Sequence, residues 1–429
     1  MGTPVNRELI SSFQVLTEGL LKNLVKAADQ AGIKRVALVG GIIRDHLMNI
    51  TLDQSQTKFY DLDLIVEDEP EKLAKTLSNI LGTSRVTIIR VNNVYQTVEL
   101  KVDGIAIDIA RARIERYPVL AENPEIKPTF IEDDLSRRDF TINAIAFDLR
   151  KNQFIDSLNG RKSIINRKIQ FIHSKSVEED PTRIIRAARY AARLKFDLTA
   201  ESVHQIKSTL KLWPWEYSLK SNSKSIPPAL SSRLQKELSI LLERDDSWAL
   251  ASQYLQDWGA LTLLDQRIQD DTHLKRRLDW GLRLGVNPLT ALIANAVNPV
   301  DLAKRLGLSH SDQNFLKESS EINKHFLSLY LSKETEYWDA KRWCDDIESA
   351  NWEPTSIAIT ICLGNPLWKP LLRWWGRWRL IKPRTTAKEL IKRGWEQGPD
   401  LGKELKRLRA IELKDYKRNS NSNFLEEIN

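Results

Sequence analysis

The segment that most restricts what this chain can fold into is "YDLDLIV", residues 60–66. A strand repeats every two residues, so Asp61 and Asp63 project from one face while Leu62, Leu64 and Val66 project from the other, toward a core. Two carboxylates side by side repel each other, and a divalent metal is the usual remedy. Phosphoryl and nucleotidyl transfer use this arrangement, with metal ions about 4 Å apart that stabilise attacking and leaving oxygens. An exposed strand can carry the same pattern without any chemistry, so the flanking segments have to decide.

Upstream, "RVALVGGIIRDHLMN" runs apolar to Val39, breaks at Gly40 and Gly41, and resumes at helical spacing with Ile43, Leu47 and Met48. Glycines between a strand and a helix let a triphosphate approach backbone N–H groups and the positive end of the helix. Arg44, in the first turn, could reach a phosphate oxygen; a plain tight turn is the alternative. Downstream, "GIAIDIARARIERY" sets Asp108 in a strand among Ile105, Ile107 and Ile109, where it could complete a metal site or pair with Arg111 or Arg113. In "DDLSRRDFTINAIAFDL", Ser136 is expected to cap a helix on which Asp139 and Asn143, four apart, share a face. Arg137, Arg138, Asp139 and Asn143 together offer cations for phosphate and acceptor or amide groups for ribose hydroxyls.

With 429 residues the chain exceeds the roughly 250–300 at which a single core stops growing, so it should be modular. Up to about Asp148, short β-branched runs alternate with helical segments, which implies an α+β domain with a small sheet. "RKIQFIH" reads as one more short strand, and beyond Val177 the periodicity is almost wholly helical, with breaks expected at "LKSNSKSIPPALSS" and near "NPLWKP". All 13 tryptophans stand at or beyond Trp213. No apolar run approaches the roughly 18 residues of a membrane span and no apolar signal segment follows the first ten residues, so a cytoplasmic location is expected. Cys344 and Cys362 have no metal-ligand spacing and read as small core residues.

The formal charge of +8 is concentrated near the end: between Leu371 and Arg418, 15 Lys and Arg face 6 Asp and Glu. A clustered basic region suggests a polyanionic partner, nucleic acid first, against the plainer reading of a solvated helical surface. "RWWGRWR" interleaves aromatics with arginines, but its tryptophans read as core, so only the cations are assigned to a partner. The final "KDYKRNSNSNFLEEIN" is expected to fray.

"LVGGIIRD", "DLD", "RRDFTINA" and "EEDPTRIIRAARYAARLKF" resemble, in order and wording, the class II tRNA nucleotidyltransferase and bacterial poly(A) polymerase family; "AKELIKRGWEQGPDLGKELKRLR" resembles the family's tail. The resemblance implies a polymerase-β-like head with a small mixed sheet (1–152), then all-helical neck (153–245), body (246–365) and basic tail (366–429). It also implies Mg2+ as the metal, CTP and ATP as substrates and the tRNA 3′ end as acceptor. By motif position Asp61 and Asp63 hold metal, Gly40 and Gly41 meet the triphosphate, and Arg137, Arg138, Asp139 and Asn143 serve ribose and phosphate. Asp108 joins the catalytic set from its own strand position rather than from the motif.

In the family an E-D-x-x-R helix reads the incoming base, which maps to Glu179, Asp180 and Arg183, with Arg186 a further candidate to orient the reader or bind phosphate. Cytosine and adenine each present an amino donor beside a ring acceptor, which a carboxylate beside an arginine matches. Uracil and guanine reverse that order and would leave buried polar groups unpaired. The bland alternative is a helix start, Asp180 capping and Pro181 in the first turn. One segment departs from the pattern: Ser157, Ser163 and Gln170 stand where the family usually has Pro, Asp and Arg, which puts the switch between adding C and adding A in doubt. The implied activity is template-independent addition of C, C and A to tRNA. A CC-adding or A-adding specialist, a poly(A) polymerase, and a non-catalytic RNA-binding protein on the same scaffold remain the alternatives.

Overall fold

A computed structural model describes residues 19–52, 61–212, 228–244 and 246–419. The chain divides into two compact units, 1–260 and 261–429.

In the first unit, helical residues 19–30 (α1) lead into Val36–Val39 (β1), a β-branched run buried along its whole length as a central strand should be. Gly40 turns the chain at φ 77°, a backbone state that an L side chain resists, and Gly41–Leu52 (α2) follows. Then come Asp61–Val66 (β2), Pro70–Leu81 (α3), Val86–Asn92 (β3), Thr97–Val102 (β4) and Ile105–Arg111 (β5). With Ala146–Asp148 (β8) and Gln153–Ile155 (β9) they form a seven-stranded sheet in the order β3-β4-β5-β2-β1-β8-β9. Only β2 and β5 run parallel, so the sheet is mixed, as expected. Leu62, Leu64 and Val66 are buried on the far side of β2 from the aspartates. On the aspartate side the strand also ends in core, because Ile65 packs with Ile131 and Leu135 of a short helix, Ile131–Ser136 (α4).

The region around "RRD" differs from its expected form. Ser136 ends α4 instead of starting a helix, and its hydroxyl donates back to the Glu132 carbonyl at 3.2 Å. Asp139 and Asn143 do meet, but across a 3-10 turn, Thr141–Asn143, not along an α-helix. The Asp139 carboxylate explains the change: it accepts the Phe140 N–H at 2.8 Å and the Asn143 amide at 3.0 Å, a local bond that competes with helical pairing. A two-stranded hairpin, Arg113–Arg116 (β6) with Glu125–Pro128 (β7), was not legible either, since its alternation is short and charged.

Beyond the sheet, Gly160–Ile165 (α5) starts on Asp156, whose carboxylate accepts the N–H groups of Gly160 at 2.6 Å and Arg161 at 3.0 Å. Of the departing residues, Ser163 hydrogen-bonds Thr141 and Gln170 supplies a carbonyl to the Thr141 N–H. Lys168–Ile169 (β10) pairs with Asp197–Leu198 (β11), so this part is helical apart from one small ribbon. Its helices are Ser176–Glu179 (α6), Thr182–Leu194 (α7), Ala200–Leu212 (α8), Pro228–Arg244 (α9) and Trp248–Asp257 (α10). Ala187, Ala188, Ala191 and Ala192 give α7 a narrow buried stripe against which α9 and α10 pack closely.

The second unit is helical throughout its described residues. Cys344 and Cys362 are buried as small core residues, and burial pushes both thiols up to about 12. Trp374 and Trp378 are core too, and the Trp374 indole donates to Glu348, which also pairs with Arg409. The helix Pro354–Cys362 stops before Asn365, whose side chain accepts the Leu367 N–H at 2.9 Å: the break near "NPLWKP". The other expected break lies largely outside the described residues, as do the last ten residues of the tail. Among the described residues no helix is long and apolar enough to cross a membrane.

Gly160 leaves no room for a side chain: a Cβ there would stand 2.3 Å from the Thr141 carbonyl and 2.6 Å from Ile145. Gly160→Ala should lower unfolding free energy by about 1–3 kcal/mol, read as a drop in the urea midpoint at unchanged slope.

Candidate active site

Register alone gathers the carboxylates. Asp63 lies directly across from Asp108 of β5, and Asp108 across from Glu99 of β4, so Asp61, Asp63, Asp108 and Glu99 share one face. On the other side Asp63 faces Val39, the last residue of β1, and the turn that follows brings Gly40 so close that a Cβ would come 2.7 Å from Asp63 Oδ2. Gly40 is therefore required twice, by its dihedral and by the carboxylate. Burial pushes the Asp63 carboxyl above the ordinary range; Arg138 opposes this and Asp61 adds to it. Asp108 is raised by burial first, then by Asp63, Glu99 and Asp61. A face of acids that resist ionising together, all with hard oxygen donors, fits Mg2+. Among the described residues no three acids, cysteines or histidines converge as a ready-made cage. That suits an ion that usually takes one or two carboxylates and completes its shell with water and substrate phosphates.

Beside this face opens a cavity of about 420 Å³ walled by Gly40, Gly41 and Asp63, by Arg137, Arg138, Asp139 and Asn143, and by Asp180, Arg183 and Arg186. The arginines differ in how far they are committed. Arg137 is locked by Asp134 at 2.7 Å and Glu115 at 2.7 Å. Arg138 makes a 3.2 Å contact to Asp134 and keeps a buried Nε without a partner among the described residues, so it retains donors for an anion. Arg186 forks onto Asp139 at 2.8 and 2.6 Å and reaches Glu237 at 3.1 Å. Burial pushes the Asp139 carboxyl up, but the charge of Arg186 and the hydrogen bonds from Asn143 and Arg186 outweigh it and hold the group below the usual carboxylate range.

Asp180 accepts the Thr182 N–H at 3.1 Å and the Thr182 hydroxyl at 2.7 Å, both on Oδ1. It thus caps α7 as a helix start should, with one oxygen. Arg183 is buried and donates to the carbonyls of Ser176 and Arg137, which orients its guanidinium between α6 and the "RRD" segment. Along α7, Arg183 is buried and Arg186 and Arg189 partly so, while Arg193 is exposed.

Four expected residues do not line the cavity. Asp61 is exposed at the start of β2, Asp108 lies one strand away, and Glu179 turns to His173 at 3.3 Å. Arg44 stands behind the wall: it bonds Asn143 at 2.8 Å and Asp45 at 2.7 Å and lies over the Tyr190 ring at 5.0 Å, so it props the site instead of presenting itself to phosphate. Sequence reasoning missed Glu115, Tyr117, Tyr190, Arg233, Lys236 and Glu237 on the cavity wall. Arg233, Lys236 and Glu237 sit at helical spacing on α9, a usable signal; Glu115 and Tyr117 come from the unforeseen hairpin.

A glycine turn facing paired acids on a mixed sheet, with an arginine-lined cavity alongside, is the construction of a nucleotidyltransferase head. Residues 36–170 match the family model of the poly A polymerase head domain. The chain is 32% identical over 267 residues to the CC-adding tRNA nucleotidyltransferase of Deinococcus radiodurans, covering 62% of this chain and 64% of that one. It is 25% identical over 395 residues to the A-adding tRNA nucleotidyltransferase of Aquifex aeolicus, covering 87% and 44%. It therefore spans less than two thirds of the length of either relative. A solved CCA-adding enzyme in an apo form shares the fold over 98% of this chain and 97% of that one, with a TM-score of 0.72 at 21% identity. The chain thus carries a segment that matches the poly A polymerase head domain and is similar in sequence to CC-adding and A-adding tRNA nucleotidyltransferases.

Asp139→Asn removes the charge that the partly buried Arg186 pairs with and should cost about 2 kcal/mol at pH 7. Because the folded carboxyl lies below its unfolded value of about 3.9, the difference from wild type should be full above that pH and shrink as pH falls through the folded value. Urea titrations across that range measure it.

Proposed function

We propose that this protein adds C, C and A to the 3′ end of tRNA from CTP and ATP without a nucleic-acid template, in the cytoplasm. The single observation that carries the reading is the placement of Gly40 against Asp63, in register with Asp108, beside a cavity with an under-committed arginine. The tRNA 3′-hydroxyl attacks the α-phosphate, a P–O bond forms to the ribose oxygen, and pyrophosphate leaves with the breaking P–O bond. Asp61 and Asp63 would hold Mg2+, with Asp108 as the third acid. When bound, the metal lowers the pKa of the hydroxyl and neutralises charge on the leaving group.

The remaining work falls to the chain. Gly40 and Gly41 let the triphosphate approach the backbone, Arg138 meets a phosphate oxygen, and Arg137, Asp139 and Asn143 form the ribose side. Asp180 Oδ2 and the free donors of Arg183 read the base edge, leaving Oδ1 to cap α7. Glu179 and Arg186 set the reader's position, and Arg44 supports Asn143 from behind. The four-part division at 152, 245 and 365 assigns catalysis to the head, base reading to the neck and tRNA binding to the basic tail, with the helical body between neck and tail.

A second reading, a single-kind specialist, is favoured by the 32% identity to a CC-adding relative together with Ser157, Ser163 and Gln170 in the segment after the head. Three transcripts, ending before CCA, after C and after CC, incubated with CTP, ATP or both, separate the readings. The full activity extends the shortest transcript by three nucleotides; a CC-adding specialist stops after two, and an A-adding one extends only the CC-ended transcript. Asp61→Ala and Asp63→Ala should abolish all extension.

Lys388, Lys392 and Lys406 are exposed in the basic tail. Replacing all three by Ala should weaken tRNA binding at low salt and flatten the slope of log affinity against log salt by roughly 0.7–0.9 for each phosphate no longer neutralised. An unchanged slope excludes the tail from binding.

A further inference from the structure

The second unit holds a cavity of about 490 Å³ that nothing above uses. Its floor is aromatic: Trp343 and Trp378 are buried, at 5% and 7% exposure, and Trp338 and Tyr330 rise beside them to partial exposure. The backbone explains why they converge. The helix His310–Leu331 ends with Lys333 in the left-handed region at φ 59°, whose N–H bonds the Tyr330 carbonyl, and the chain doubles back to Trp338 before the helix Ala340–Ser349 begins. Trp338 is held rigidly, edge-on to Trp343 with centroids 5.0 Å apart and under the Arg342 guanidinium at 5.1 Å.

The rim is cationic. Lys333 and Arg373 both line the opening, both are exposed, and among the described residues neither side chain has a carboxylate partner; Glu336 is the one acid on the lining. Arg384, Arg407 and Arg409 of this unit are each paired with a glutamate. Arg373 also opens the basic run that ends at Arg418. Flat aromatic walls held in place, with unpaired cations at the mouth, match a ligand that has a π-face and a phosphate on either side.

We propose that this cavity receives one unstacked nucleobase of an RNA, with Lys333 and Arg373 on the flanking phosphates and Trp338 as the stacking surface. The proposal rests on the tRNA reading for the identity of the RNA, not for the chemistry of the site. A proline-rich peptide also suits aromatic walls, but gains nothing from two unpaired cations.

The test uses the full chain and tRNA transcripts carrying 5-iodouridine, which crosslinks to an aromatic ring stacked on it. Irradiation should attach RNA to Trp338 or Tyr330, located by mass spectrometry. Lys333→Glu with Arg373→Glu should raise KM for tRNA about tenfold and leave KM for CTP and kcat unchanged. Trp338→Leu should do the same, and a circular-dichroism melt that still matches wild type keeps that result from being a folding defect. If wild type extends tRNA but the rim variants behave like it and no crosslink forms in the cavity, the proposal is overturned while the activity stands. If wild type does not extend tRNA, the activity reading fails, and the cavity is judged by an iodouridine-containing single-stranded RNA. A crosslink to Trp338 then supports the site; its absence, or occupancy by a proline-rich peptide alone, overturns it.

Discussion

The ion pair between the buried Asp139 and the partly buried Arg186 is the interaction on which the candidate site depends. Asp139 sits at the end of the sheet domain and Arg186 in the middle of α7, and their forked contact at 2.8 and 2.6 Å ties the phosphate-side segment to the helix that carries Arg183. The same carboxylate orients Asn143, which in turn receives Arg44. A largely buried pair of this kind contributes little net stability over an apolar substitute, but it is costly to break and sets one geometry over others. Precision of placement is its use here.

Around that pair the arginines follow a division of labour set by their partners. Arg137 and Arg186 are held by carboxylates and Arg183 is oriented by two carbonyls with donors to spare, whereas Arg138, close enough to act on Asp63, keeps a buried nitrogen without a partner among the described residues. Guanidinium suits the first role because its planar fork fixes two directions at once. The carboxylate face is the opposite case: Asp63 is raised by burial and by Asp61, and Asp108 by burial, Asp63, Glu99 and Asp61, a tension that a bound cation would relieve.

The second unit solves a different problem. Trp343, Trp374 and Trp378 join a core otherwise built mainly of Leu, Ile and Ala, and where aromatic rings reach the surface at Tyr330 and Trp338 they meet Lys333 and Arg373, which have no glutamate partner among the described residues. The basic excess of this region is thus partly internal scaffolding, as at Arg409 with Glu348, and partly unspent charge, as at Arg373.

Much of the head could be read from letters, for a physical reason. Strand period makes the Asp61 and Asp63 pairing a local property, the Gly40-Gly41 turn is dictated by backbone sterics, and the β-branched runs bury wherever they lie. The helix start at Asp180 and the core role of Cys344 and Cys362 were local in the same sense. What lies far apart in the chain was decided only by tertiary structure. The alignment of Asp63 with Asp108 and of Asp108 with Glu99 is a matter of strand register across 45 and 9 residues. The 3-10 turn at Asn143 replaced a helix because Asp139 found a partner 47 residues away and a local amide at once. Whether a given arginine is a strut or a ligand donor likewise depends on which acids the fold brings to it, and no spacing rule encodes that.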